Sequence, residues 1–480
     1  MPETNPAPCP HYRQCGGCQL QRLPYPAQLR RKQSRVEELL GGFGPVSPIL
    51  GMDEPFHYRN KVHAAFALDA RRQIVCGIYQ PGSHAVVPVE SCLIEDETAD
   101  RIVQTIRAML RPFRIQVFDE RSGTGWLRHV LIRRGFATGQ VLVVLVAVSP
   151  IFKLQKPFLK ELLEKHPEIT TVVLNINDRF GPVVLGTREK VLYGEGWIED
   201  VLCGFRFRLS ARSFYQINPV QTEKLYRTAV DFAGLTGKET VLDAYCGIGT
   251  IGITASERAK QVIGVEINPD AVRDAIANAR LNGLRNCWFT AGDAGEYLER
   301  MAADEMRPDL VFLDPPRAGS DERFLRSLLR CAPGRVVYVS CDPATLARDL
   351  GVLTKGGYRV KKIQPVDMFP FTEHIETCVL LVHQKSTEYF TVEYSPPNSS
   401  YMEKLPASAT YREIQEWIAE HYDGMKVSNL YIAQVKQKHG IIERENYNKP
   451  KKEGGRVPKV TPEKEKAIEA ALKHFKLIEN

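Results

Sequence analysis

No stretch of this 480-residue chain is apolar enough to cross a bilayer: the longest apolar run, Val141–Val148, is far short of the roughly 20 residues a spanning helix needs. Met1–Pro10 also lacks the apolar core of a secretory signal, being rich in proline and polar residues. A cytoplasmic protein with no membrane partner is the simplest expectation. An excess of one charge is missing too. Lys and Arg total 64 against 57 Asp and Glu, and the net +7 is too mild to imply nucleic acid by itself. Nor does a second Cys-x-x-Cys pair accompany Cys15–Cys18, which weakens the case for the usual two-pair zinc site.

What is present is unevenly placed. Basic clusters at Arg30-Arg-Lys32 with Arg35, Arg71-Arg72, Arg128, Arg133-Arg134 and Arg206/Arg208 all precede a glycine-rich turn at 247–252. A solvated surface explains any one of them; the set points to a polyanionic partner. Hydrophobic residues make up 43%, enough for a large buried core, and the length suits about three domains.

Eleven cysteines in such a chain do not read as a disulfide framework. Cys9, Cys15 and Cys18 fall within ten residues, and Gly16-Gly17 lets the last two thiols face one centre. Three clustered thiols plus one from far along the chain suit a four-cysteine iron–sulfur cluster better than zinc. Cys92, in a turn-like Glu-Ser-Cys, is preferred as fourth ligand over Cys76, which sits in a strand-like run. A zinc knuckle, or thiols without a ligand, is the alternative.

The pattern predicts a segment 1–50 carrying the cysteines and a basic helix at Pro26–Leu40. An α/β or α+β middle domain follows over 51–205, with strands at Val62–Leu68, Ile74–Tyr79, Val130–Arg134, Val141–Val148, Thr171–Asn177 and Phe205–Leu209. Helical patterns at Glu97–Leu110 and Lys153–His166 interrupt these strands. Over 206–384, β and α alternate regularly, indicating a doubly wound, mostly parallel sheet. Residues 385–410 read as a linker. The tail, 411–480, reads as a small helical appendage with a basic stretch at 436–460, either an RNA contact or a solvated linker.

Gly247-Ile-Gly249-Thr-Ile-Gly252 has dinucleotide spacing, with Glu266 closing the next strand for a ribose. Alone it fits NAD. Asp243, before the turn, would repel a pyrophosphate yet hold a cationic aminoacyl group. Asp293, after the third strand, is placed to accept from an adenine amine, and Asp314-Pro-Pro-Arg-Ala-Gly319 ends the fourth strand in a rigid loop. These favour S-adenosylmethionine. Cys341, in Val339-Ser-Cys-Asp-Pro-Ala-Thr345, lies at a strand's carboxyl end, where such sheets bind ligands.

Together with Ser213-Phe-Tyr-Gln-Ile-Asn-Pro219 and His374-Ile-Glu-Thr377, these motifs resemble the RNA uracil-5-methyltransferases, in particular the iron–sulfur branch acting on 23S ribosomal RNA. The resemblance covers roughly residues 5 to 384. It implies a Rossmann-like class I S-adenosylmethionine-dependent methyltransferase domain, preceded by an N-terminal iron–sulfur loop and a central RNA-binding domain. It further implies Cys341 as nucleophile, Glu376 as base, and Gln216, Tyr245, Thr250, Glu266, Asp293 and Asp314 around the cofactor. A [4Fe-4S] cluster on Cys9, Cys15, Cys18 and Cys92 belongs to the same implication, as does a monomeric enzyme acting on an unpaired or flipped-out uridine of 23S rRNA. Thr250 departs from a relative that carries Asn; a hydroxyl can still bond the cofactor. Many relatives begin with a small β-barrel RNA-binding domain that this chain does not carry before its cysteines, and its tail is the expected replacement.

Three other functions remain open on sequence: methylation of uridine 54 in transfer RNA, an NAD-dependent oxidoreductase, and a non-catalytic iron–sulfur RNA-binding protein. Without their neighbours, Cys341 would read as a buried strand-end thiol and Glu376 as a strand carboxylate.

Overall fold

A computed structural model describes residues 9–120, 122–179, 181, 183–384, 411–439, 460–475 and 477–478. The chain divides into two compact units, Met1–Glu388 and Tyr389–Asn480. The expected linker at 385–410 and most of the basic stretch 436–460 lie outside the described residues.

The first unit opens with the short α1 (Tyr12–Cys15) and the longer α2 (Tyr25–Leu40), whose Pro26 sits in its first turn. A seven-stranded sheet follows. In chain order it holds β1 (Lys61–Leu68), β2 (Ile74–Tyr79), β3 (Val86–Pro88), β4 (Leu127–Arg134), β5 (Val141–Ala147), β6 (Ile169–Ile176) and β7 (Arg188–Tyr193). Their spatial order is β3-β2-β1-β4-β5-β6-β7, antiparallel throughout except for β5 and β6. Every residue of β5 is buried, which is why its sequence is an unbroken apolar run rather than an alternation. Two helices, α3 (Glu97–Leu110) and α4 (Gln155–Lys165), cover one face. Asp96 caps α3 by accepting from the Ala99 amide.

The opposite face shares a core with the ribbon β8 (Trp197–Leu202) and β9 (Phe205–Ser210), and with α5 (Pro219–Ala233). That shared core runs on into the second sheet. In chain order come β10 (Thr240–Ala244), α6 (Thr250–Ala255), β11 (Gln261–Glu266), α7 (Pro269–Leu281), β12 (Cys287–Ala291), α8 (Ala294–Ala303), β13 (Leu310–Leu313), α9 (Glu322–Cys331), β14 (Arg335–Ser340), α10 (Pro343–Lys355), β15 (Tyr358–Val366) and β16 (Glu376–His383). The spatial order is β12-β11-β10-β13-β14-β16-β15. The first five strands are parallel; β16 is antiparallel to both β14 and β15. This mixed α/β sheet agrees with the doubly wound, mostly parallel arrangement expected from the sequence.

Five elements escaped the pattern reading, the short α1 and β3 among them. Gly295 in the first turn of α8 obscures a helix whose Tyr297, Leu298 and Met301 are buried. The strands β7, largely exposed, and β8, with Glu199 and Asp200 buried inside it, lack the alternation that marks a half-buried strand. In the second unit, α11 (Tyr411–His421), α12 (Asn429–Lys438) and α13 (Pro462–His474) surround Ile414, Ile418, Ile432, Val435, Ile468 and Leu472. No helix among the described residues is long and apolar enough to cross a membrane.

Candidate active site

Parallel strands collect their carboxyl ends along one edge, and the chemistry-bearing residues gather there. Asp243 is in β10, opposite Gly264 of β11 and Phe312 of β13. Tyr245 follows β10 in a left-handed conformation (φ 65°), a strained turn for a residue with a side chain. Gly249 then opens α6 with φ 84°, a backbone only glycine adopts without cost. A Cβ on Gly252 would stand 2.9 Å from Asp243 Oδ2, so glycine is required for the close approach. The Gly252 amide donates to that oxygen at 2.8 Å. Glu266 Oε2 accepts from the Gly247 amide at 3.1 Å, and its Oε1 from the Asn268 amide at 2.8 Å.

The first turn of α6 therefore already carries a buried carboxylate on one of its free amides. That arrangement disfavours a pyrophosphate there, because the amide is already used. Thr250 Oγ1 lies 3.1 Å from the Tyr226 hydroxyl. Gln216 is buried on the loop before α5, its backbone carbonyl accepting from Asn60 Nδ2 at 3.0 Å. Asp293 caps α8 through Oδ1, accepting from the Glu296 amide at 2.9 Å. It also acts electrostatically on Tyr245, whose ring centroid is 5.3 Å from that of Phe324.

Cys341 directly follows β14, while Glu376 begins the antiparallel β16. Ser340, the residue before Cys341, pairs with Thr377, the residue after Glu376, and the Glu376 carboxyl acts electrostatically on the Cys341 thiol. Asp314 directly follows β13, the parallel neighbour of β14. The antiparallel turn of β16 is what brings an acid from a strand's amino end to an edge otherwise built from carboxyl ends.

Burial controls the charges. It raises Asp243 to about 8, with Asp314 and Glu266 adding repulsion. Burial alone takes Asp314 to about 7. Glu376 is held well above the usual carboxylate range by burial and by Asp314, against the pull of Arg317. Burial pushes the Cys341 thiol up to about 11, with Glu376 and Asp314 raising it and Arg317 lowering it. Asp243 Oδ1 and Glu376 Oε2 are buried without a hydrogen-bond partner in the protein. A ligand carrying positive charge would relieve all four groups at once.

Sequence reasoning passed over two participants. Arg317 stands in the Asp-Pro-Pro-Arg motif and could have been flagged there. Tyr226 is fully buried beside Thr250, under the influence of Asp314, Asp243 and Glu376, and nothing local in its helix signals that.

The N-terminal thiols form a separate group. Cys15 and Cys18 are raised chiefly by burial, Cys18 to about 12, and both also feel Cys9 and Arg59. Cys18 and Cys92 pack on one small cluster of Tyr25, Met52, Tyr58, Ile94 and Phe371, whereas Cys76 lies in the core under α3. No group of three or more His, Cys, Asp or Glu side chains among the described residues is arranged to hold a metal ion. No step of the chemistry below runs through such a group.

A family model described as tRNA (Uracil-5-)-methyltransferase matches residues 183–384. A protein of Halalkalibacterium halodurans described as an uncharacterized RNA methyltransferase is 44% identical over 385 residues, 79% of this chain and 84% of the relative. One of Clostridium acetobutylicum with the same description is 43% identical over 380 residues, 78% and 82% of the two chains. Among solved structures, the Pyrococcus abyssi tRNA (uracil-54, C5)-methyltransferase in complex with S-adenosyl-L-homocysteine superposes with a TM-score of 0.65 at 27% identity, covering 76% of this chain and 86% of that one. These matches set aside the oxidoreductase reading of the glycine turn. The chain belongs to the S-adenosylmethionine-dependent RNA uracil-5-methyltransferase family.

Proposed function

We propose that the protein methylates C5 of a uridine in 23S ribosomal RNA through a covalent bond between Cys341 and C6 of the uracil. The observation that carries this reading is that the carboxyls of Glu376 and the buried Asp314 both act electrostatically on the Cys341 thiol. C5 of uracil is a weak nucleophile. Addition of the Cys341 thiolate to C6 makes C5 enolate-like and able to take a methyl group. S-adenosylmethionine supplies that methyl as a sulfonium and departs as S-adenosylhomocysteine. The Glu376 carboxylate then removes the C5 proton, the C5–C6 double bond re-forms, and the thiolate leaves. Gln216, Tyr245, Thr250, Glu266, Asp293 and Asp314 are assigned to the cofactor pocket, with Asp314 also beside the uracil.

The charge balance gives a pH dependence. Asp314 and Asp243, at about 7 and about 8, hold protons near neutrality, and a sulfonium favours their ionised forms. Because both values lie above those of the unfolded chain, ionisation weakens the ligand-free fold as pH rises towards 8. Ionisation strengthens cation binding over the same range. S-adenosylmethionine affinity, relative to S-adenosylhomocysteine, should therefore rise between pH 6 and 8.5, by up to about tenfold per pH unit for each proton displaced. Titration calorimetry at several pH values checks this, and a flat ratio rejects it.

For the RNA, the middle sheet offers a polar face next to the site. Asn60, at the start of β1, donates its backbone amide to the Ile217 carbonyl at 2.9 Å, which ties β1 to the loop bearing Gln216. The His63 and His129 rings lie with centroids 4.9 Å apart and planes tilted by 52°, and the buried His63 Nε2 and His129 Nδ1 have no partner in the protein. Burial and neighbouring cations lower them to about 4 and about 3, so both rings stay neutral. Phe214 is 66% exposed on the same loop as Gln216, an open ring for base stacking.

A [4Fe-4S] cluster on Cys9, Cys15, Cys18 and Cys92 is part of this proposal, supported by the shared packing of Cys18 and Cys92. The thiol segment favours ribosomal RNA; the solved tRNA (uracil-54, C5)-methyltransferase favours transfer RNA as the second reading. Mass-spectrometric mapping of 5-methyluridine in both RNAs, from cells with and without the gene, decides between them. Removing residues 385–480 should lower RNA affinity by about tenfold and flatten its salt slope by about 0.9 for each phosphate the tail neutralises. Unchanged values would reject an RNA role for the tail.

A further inference from the structure

Glu376 is presented by a hairpin whose stems close at Val366 and Glu376, paired across β15 and β16. Asp367, the next residue after Val366, is fully buried, and both its carboxylate oxygens are taken by one distant helix. Lys32 Nζ donates to Oδ1 at 2.5 Å and the Tyr25 hydroxyl to Oδ2 at 2.7 Å, both from α2. The same ammonium donates to the Phe369 carbonyl at 3.0 Å, and Gln28 Oε1 accepts from the Phe371 amide at 2.9 Å. The Lys32 and Asp367 side chains are 1% and 0% exposed.

An ion pair without solvent is weak evidence of stabilisation, since apolar residues of like volume commonly serve stability as well. Its geometry calls for another reason. Phe371 supplies one: its φ of 67° is left-handed backbone, held by bonds to its amide from Gln28 and to its carbonyl from the Leu20 amide at 2.9 Å. The hairpin is thus kept in a strained form by the amino-terminal helix and the segment before it.

We propose that Lys32 is a positioning residue for the reaction: with Tyr25 and Gln28 it fixes the Asp367–Ile375 hairpin so that Glu376 meets the C5 proton. The inference rests on Glu376 being the base. A displaced Glu376 leaves thiolate addition and methyl transfer intact. What stalls is the last step, in which the C5 proton goes to the carboxylate, the C5–C6 double bond re-forms and the C6–S bond breaks. Methylated RNA then stays attached to Cys341.

The test uses the full chain with S-adenosylmethionine and unmodified transcribed ribosomal RNA, and resolves covalent protein–RNA on denaturing gels. Lys32→Met should raise the trapped adduct and lower kcat by about tenfold or more, within the span assigned to general bases, with KM for RNA and cofactor affinity nearly unchanged. Glu376→Gln run alongside separates the two ideas. If it traps no adduct, the base assignment fails and the inference with it. If it traps adduct while Lys32→Met only loses activity or stability, the positioning role is wrong. Should Lys32→Met not fold, Tyr25→Phe removes one donor to Asp367, along with the acceptor of the Met52 amide, and should trap adduct to a smaller extent; no adduct from it overturns the inference.

Discussion

Cys341→Ala is expected to abolish RNA methylation, lowering turnover by about 10⁴-fold or more, while binding of S-adenosylmethionine stays within about twofold of wild type. The split follows from the architecture. The thiol ends β14, whereas the glycine turn and Glu266 lie on β10 and β11 across the sheet. Without sulfur at C6 the ring keeps its aromatic-like conjugation, and C5 has too little electron density to displace a methyl from sulfonium. RNA containing 5-fluorouridine offers a direct readout, because fluorine cannot leave as a proton does. The wild-type enzyme should form a stable covalent complex with it, and Cys341→Ala none. A variant that still forms the complex would move the nucleophile to another thiol, with Cys246 in the glycine turn as a rival.

The second large effect separates the two halves of the chemistry. Glu376→Gln should still add Cys341 to C6 and still transfer the methyl group. Turnover should nonetheless fall by about 10²- to 10⁴-fold, the usual range for a missing general base. The expected product is methylated RNA held on the protein, seen as a mass increase carrying the methyl group. Turnover without a trapped intermediate would assign proton removal elsewhere, and Asp314, at about 7, is the neighbouring candidate. Glutamine removes an acid whose protonated state is favoured by burial and by Asp314, so Glu376→Gln is expected to leave folding intact.

Much of the site was legible along the chain because its signals act over a few residues. Strand ends, glycine turns and helix caps are decided by neighbouring backbone groups: Asp293 before α8, Asp342 before α10 and Asn218 before α5 each bond the amides of their own helix. The Asp-Pro-Pro-Arg and Ser-Cys-Asp-Pro motifs mark adjacent strand ends for the same reason. The helix Ala294–Ala303 stayed hidden where Gly295 weakened the local pattern, and the strands Arg188–Tyr193 and Trp197–Leu202 where charge replaced alternation.

By itself the sequence determined which side chains stand at the carboxyl edge of a parallel sheet, and that thiols cluster before it. Only the tertiary structure decided that the Glu376 carboxyl acts on the Cys341 thiol, since this depends on β16 entering antiparallel in one register out of several. It alone decided the protonation of the buried acids, because desolvation depends on everything packed around a group. It also joined Lys32 to Asp367 across 335 residues. Such contacts are set by how sheets and helices pack, and no local stretch of sequence carries that information.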